Sequence, residues 1–239
     1  MSAILEKWKV LPHGALTPVE DNILTVEGEV RMPVGNMHRR MTLVRLKDGR
    51  LVVFSAISLD ENEMRQVEAF GAPAFLIVPN AHHRLDAKAW KDRYPAIRVI
   101  APEGARDKVQ QAVPVDATTV DFGDPDIVFL TVPGTQRQEA ALEITAPAGI
   151  TLVLNDIVGN IRDASGFGGW LLRLMGFAGD APHVPAPVKL AIVTDKAALA
   201  KQLLRWAELS GLKRIIVSHG EIITRDPGGE LRKLAEALA

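Results

Sequence analysis

Apolar and polar residues alternate loosely over residues 23–31, and two apolar runs, 41–46 and 51–55, are separated by Lys47-Asp48-Gly49. Asp-Gly between two such runs is a hairpin signal, because glycine accepts the positive φ of a tight turn. The chain is therefore expected to begin with antiparallel strands, to about Ala56. The period then changes. Asp60-Glu61-Asn62-Glu63 supplies an acidic first turn, Met64, Val67 and Phe70 recur at helical spacing, and Gly71 ends the run. The unbroken apolar run 74–78 predicts a short strand buried on both faces, stopping at Pro79-Asn80. A helix over 86–94, a strand over 98–101 and a helix over 104–113 continue in βαβα order, with right-handed crossovers.

The pattern then reverts. Strands are predicted over 126–132, 141–145 and 150–154, the last two joined by a Pro147-Ala148-Gly149 turn. Residues 159–187 form a Gly- and Pro-rich excursion containing a short apolar helix over 166–175, either packed on the core or serving as a lid. A helix over 195–209 puts Leu199, Leu203 and Trp206 on one face and stops at Gly211. A buried strand over 214–218 and a helix from about Gly229 close the chain. Two β-rich halves with helices outside predict one α/β (α+β) domain, residues 1–239, built as a four-layer αββα sandwich.

Composition narrows the function. A formal net charge of −1 over 239 residues gives no field that would draw in polyanions, so nucleic acid is not an expected partner. The densest basic cluster, His38-Arg39-Arg40, reads as a solvated strand edge. With no cysteine, a metal must be held by His, Asp, Glu or Asn. No window approaches the ~18 apolar residues of a membrane span, and residues 1–7 lack a basic segment followed by an apolar run. No membrane partner and a cytoplasmic location are therefore expected. There is no G-x-S-x-G elbow, Ser55 and Ser218 have no recognisable base partner, and neither a dinucleotide fingerprint nor a Walker motif occurs.

Three places share one grammar: a buried strand ends and ionisable residues follow at once. They are Asn80-Ala81-His82-His83-Arg84-Leu85-Asp86, Asn155-Asp156 and Ser218-His219-Gly220. Carboxyl ends of strands are where α/β proteins gather their sites. These segments resemble those of the metallo-β-lactamase superfamily, in which H-x-H-x-D-H follows a buried strand, a His follows Pro-Gly, an Asp ends a hairpin strand and a final His ends a late strand. Here Leu152-Val153-Leu154-Asn155-Asp156 is similar to the apolar strand ending in Gly-Asp, with Asn155 in place of Gly, and His219-Gly220 is similar to the final His. Pro133-Gly134 is followed by Thr135-Gln136, so that His is missing. The first motif fits in two registers, one retaining His82 and Asp86, the other His82 alone. A divergent branch, the DUF4336-type proteins, is similar in 40–46 with Asp48-Gly49, in Pro79-Asn80 with His82-His83, in Trp90 with Tyr94-Pro95 and in His219-Gly220.

The resemblance implies a metallo-β-lactamase-like fold and a metal-dependent hydrolase with a reduced, at most mononuclear site. The expected metal ligands are drawn from His82, Asp86, Asp156 and His219, for one divalent ion of zinc, iron or manganese. Asp86 or Asp156 would manage the proton, while Arg84 and His83 would face a bound ligand. Adjacent histidines on an irregular segment point in different directions, so one of the pair is expected to serve packing or capping. His13 and His38 read as surface or packing residues, and His183 reaches a pocket if the excursion folds over it. The alternative is a non-catalytic protein of the same fold in which Arg84 helps bind a small anionic ligand. A homodimer joined through the apolar segment 166–175 is a third reading.

Overall fold

Strands form where the apolar runs lie, and they sort into two sheets. The computed structural model describes residues 4–31, 36–162, 173–174, 176 and 178–238. The expected helix over 166–175 and the dimer contact built on it fall largely outside these residues. Among them are ten strands and six α-helices. The chain divides into two compact units, one of residues 1–30 and 37–124, the other of residues 31–36 and 125–239.

The first unit carries β1 (Thr17–Glu20), β2 (Ile23–Arg31), β3 (Asn36–Arg45), β4 (Arg50–Phe54), β5 (Ala72–Ile77) and β6 (Arg98–Ile100), hydrogen-bonded in that order. β3 and β4 pair antiparallel through the Asp48-Gly49 turn, where Gly49 has φ 85° and Asp48 accepts the Arg50 N–H. β4, β5 and β6 run parallel, with α1 (Glu61–Phe70) and α2 (Ala87–Arg93) as the crossovers. Asp60 caps α1 by accepting the N–H groups of Asn62 and Glu63, and Met64 and Val67 are its buried residues. Gly71 has ordinary extended backbone; a Cβ there would come within 2.5 Å of the Gly49 carbonyl oxygen, so close approach dictates the glycine. The helix expected over 104–113 is shorter, a 3₁₀ turn followed by α3 (Arg106–Gln110).

One expectation is overturned in this sheet. β3 begins at Asn36, so His38-Arg39-Arg40 lies within a strand; His38 is exposed, but Arg39 and Arg40 are buried. Each has an acidic partner, Asp86 for Arg39 and Glu27 for Arg40, which is what allows a guanidinium inside the protein. The edge strand β1 has no counterpart in the apolar pattern; three of its four residues are Thr, Pro and Glu.

The second unit has β7 (Ile127–Thr131), β8 (Ala140–Ala146), β9 (Gly149–Leu154) and β10 (Leu212–Val217) in the order β10-β9-β8-β7. β7, β8 and β9 form an antiparallel meander and β10 joins β9 in parallel, bringing Leu154 and Val217 into register. Among its described residues the unit also has helices α4 (Ala186–Ala191), α5 (Lys196–Ala207) and α6 (Pro227–Glu236). Leu199, Leu203 and Trp206 of α5 cluster with Leu231 and Leu234 of α6 and with Leu152, Leu154, Ile215 and Val217 of the sheet. Asp195 caps α5 by accepting the Ala198 N–H. No helix among the described residues is long and apolar enough to cross a membrane.

Candidate metal-binding site

In the second unit, parallel pairing of β9 with β10 sends both chains off the sheet at the same end, and the two residues that follow meet. His219 Nε2 lies 3.1 Å from Asp156 Oδ1, with both side chains partly exposed. The backbone holds this arrangement closely. Ser218 N–H donates to the Leu154 carbonyl, and Asn160 N–H donates to the carbonyl of His219 itself. Gly220, at φ 98°, packs so tightly that a Cβ would stand 2.1 Å from the Asn160 carbonyl oxygen. Asn160 is buried; its Nδ2 donates to the Glu221 carbonyl and its Oδ1 accepts from Arg162 Nε.

Beneath Asp156, Asn155 and Glu139 are both fully buried, and Asn155 Nδ2 donates to Glu139 Oε2 at 3.2 Å. The position after Pro133-Gly134 is filled by Thr135, which is buried and donates its hydroxyl proton to the Val132 carbonyl; a short hydroxyl closes the turn locally. His183 pairs through its backbone with Gly159, and its ring nitrogens face the carbonyls of Ala181 and Gly176, so it links these three residues.

In the first unit, the segment after β5 is built as an Asx turn. The buried Asn80 Oδ1 accepts the N–H groups of His82 at 2.8 Å and His83 at 3.1 Å, which fixes the backbone of both histidines. His82 is exposed. His83 is partly buried, and its Nδ1 lies 2.7 Å from Ser55 Oγ. Ser55, just past the end of β4, has φ 58°, and its N–H donates to the Ile77 carbonyl. The expectation that Ser55 lacks a basic partner is thus overturned: the partner is 28 residues away and comes from the segment that follows the neighbouring parallel strand β5.

The remaining predicted residues of this segment are engaged elsewhere in the same unit. Arg84 donates to the Lys108 carbonyl and to Gln111 Oε1. Asp86, 1% exposed, accepts from Arg39 and from the Ser58 N–H. Donors suited to a metal ion therefore occur as His83 in the first unit and as Asp156 with His219 in the second. A separate group in the first unit, His13, Asp60 and Glu63, places ligand atoms within 4.8 Å of one another. Its geometry is that of a helix cap: the Asp60 N–H donates to His13 Nε2, and Asp60 Oδ1 accepts the N–H groups of Asn62 and Glu63.

Neither a protein-family model nor a curated protein matches the chain by sequence, so the DUF4336-type resemblance is carried by its motifs alone. The solved structures are decisive for the fold, and the chain has the fold of the metallo-β-lactamases. It is similar to the metallo-β-lactamase FIM-1 from Pseudomonas aeruginosa in its mono-zinc form, at 14% identity and TM-score 0.63, over 96% of this chain and 97% of that one. It is similar as well to a metallo-β-lactamase from Erythrobacter litoralis, at 14% identity and TM-score 0.64 over 93% and 96% of the two chains. A metallo-β-lactamase from Hirschia baltica matches at 10% identity and TM-score 0.63, over 94% and 98%.

Proposed function

We propose that the chain is a metal-dependent hydrolase with a reduced, at most mononuclear centre built on Asp156 and His219, acting on a small ester, amide or phosphoester. The observation that carries this reading is the meeting of an imidazole and a carboxylate at the carboxyl ends of two adjacent parallel strands. The donor set fits a divalent ion of zinc, iron or manganese, since one nitrogen and one carboxylate oxygen suit all three and no thiolate is needed. When bound, such an ion acidifies water and polarises a carbonyl or phosphoryl oxygen.

The protein's own contribution is positional. The parallel register of β9 and β10 and the tight Gly220–Asn160 contact hold His219 and Asp156 in place, and Asp156 is the group that accepts the proton lost by attacking water. Thr135 stands where the family's additional His would be, which supports one ion rather than two. Arg84, held by Lys108 and Gln111, carries no part of the reading.

Elemental analysis of protein purified without chelator tests it, together with hydrolysis of an aryl ester, an aryl phosphodiester and a chromogenic cephalosporin before and after chelation. We expect about one equivalent of metal, lost in His219→Ala and Asp156→Ala, and a chelator-sensitive turnover of at least one substrate. A protein that stays metal-free at millimolar Zn²⁺ ends the proposal.

A further inference from the structure

We infer that Glu139 is a positioning residue for Asp156 and that it acts through Asn155, by a hydrogen bond between two side chains in the interior of the second unit. The inference rests on the metal-centre reading above in taking Asp156 as a ligand. The superfamily pattern has glycine before this Asp, which offers no side chain to hold. Here a side chain fills that position, so the assignment departs from the pattern and comes from the geometry alone.

Three observations lead to it. First, Asn155 and Glu139 are both 0% exposed. An amide or a carboxylate is costly to bury unless it is hydrogen-bonded, and Asn155 Nδ2 donates to Glu139 Oε2. Asn155 Oδ1, by contrast, is buried with no hydrogen-bond partner among the described residues. Glu139 therefore decides which way the amide faces, since the reversed amide would set one acceptor oxygen against another. Secondly, Glu139 is itself anchored: its carbonyl accepts the Val132 N–H, which closes the connection between β7 and β8. Thirdly, residues 155–158 form a turn in which the Asn155 carbonyl accepts the Val158 N–H at 3.3 Å. Ile157 and Val158 are buried in the core of the unit, and Asp156 alone of the four is partly exposed, with its carboxylate toward His219. The turn is thus pinned by Asn155 on one side of Asp156 and by apolar packing on the other. A ligand whose place is set before an ion arrives loses less freedom on binding, and groups that orient a ligand from behind tune metal affinity.

Zn²⁺ affinity, read by competition with a chromogenic chelator, and urea stability of the same variants test it. Asn155→Gly puts the superfamily's residue in place, and Glu139→Met removes the acceptor at similar volume; each should weaken Zn²⁺ binding roughly 10–100-fold. Glu139→Gln keeps a side-chain oxygen for Asn155 Nδ2 and should stay within about threefold of wild type. The double variant Asn155→Gly/Glu139→Met should lose no more than the worse single one, because both act through one bond. Asp195→Ala destabilises the same unit by removing the cap of α5 and should leave affinity unchanged. Losses that add in the double variant, Glu139→Gln as weak as Glu139→Met, or an equal loss in Asp195→Ala overturns the inference. If Glu139→Met does not fold, Asn155→Gly against Glu139→Gln decides. If wild type binds no Zn²⁺, the hydrolase reading fails and hydrogen exchange of the Val158 amide carries the test. Faster exchange in Asn155→Gly and Glu139→Met but not in Glu139→Gln supports the positioning role, and unchanged exchange ends it as well.

Discussion

Asp86 and Arg39 are 47 residues apart, and their side chains form an ion pair away from water, the carboxylate 1% exposed and the arginine 9%. Removing one member of such a pair leaves an uncompensated buried charge, which costs about 3–5 kcal/mol. Asp86→Ala should therefore lower the urea midpoint sharply, while metal content per folded molecule stays as in wild type. Loss of metal at unchanged stability would instead make Asp86 a ligand. The opposite signature belongs to His219→Ala, where metal should go and the fold remain. Gly220 is a third case. A methyl group there would meet the Asn160 carbonyl at 2.1 Å from a backbone at φ 98°. Gly220→Ala should cost on the order of 2–4 kcal/mol and lower metal affinity too, since the Asn160 N–H also donates to the His219 carbonyl. Denaturation and metal titration on the same sample separate these three residues.

Helices and strands were readable where a local pattern decides them. Asp60, Met64, Val67 and Gly71 marked α1, and Leu199, Leu203 and Trp206 marked α5 with its buried face. Asp195→Ala should remove the cap of α5 and about 1 kcal/mol of stability, measurable by urea denaturation with helical ellipticity as the probe. What the pattern could not show is pairing between distant segments. β1 forms because its backbone completes the edge beside β2, and Thr-Pro-Val-Glu has no alternation to announce that. Arg39 and Arg40 look solvated in a basic tripeptide because their partners, Asp86 and Glu27, lie far along the chain. The candidate site divides in the same way. His219 and Asp156 were legible, since each ends a recognisable apolar strand. Ser55 was not, because a serine after a strand is ordinary until a parallel neighbour brings a histidine to it.

On the scale of the molecule, stability should respond to pH and to metal through identifiable groups. Trp8, Trp90 and Tyr94 pack with tilted rings in the first unit, and the Tyr94 hydroxyl donates to Glu68. Burial foremost, then the hydrogen bond to Glu68, pushes the Tyr94 phenol up to about 12. A phenol raised in the folded state holds its proton after the unfolded chain, with a pKa of about 10, has begun to lose it. Its stabilising contribution is complete below about pH 10 and fades as pH climbs from there toward 12. Tyr94→Phe should flatten that alkaline fall. A metal acts at neutral pH by a different route, because the proposed ligands come together in the folded chain alone. Zn²⁺ held at a hundred times its Kd should add about 2.7 kcal/mol, a rise in Tm of roughly 5–10 °C for a chain of this size. The rise should vanish in Asp156→Ala and persist in Tyr94→Phe. A shift equal in wild type and Asp156→Ala would mean that Zn²⁺ stabilises the fold from somewhere other than the Asp156–His219 pair.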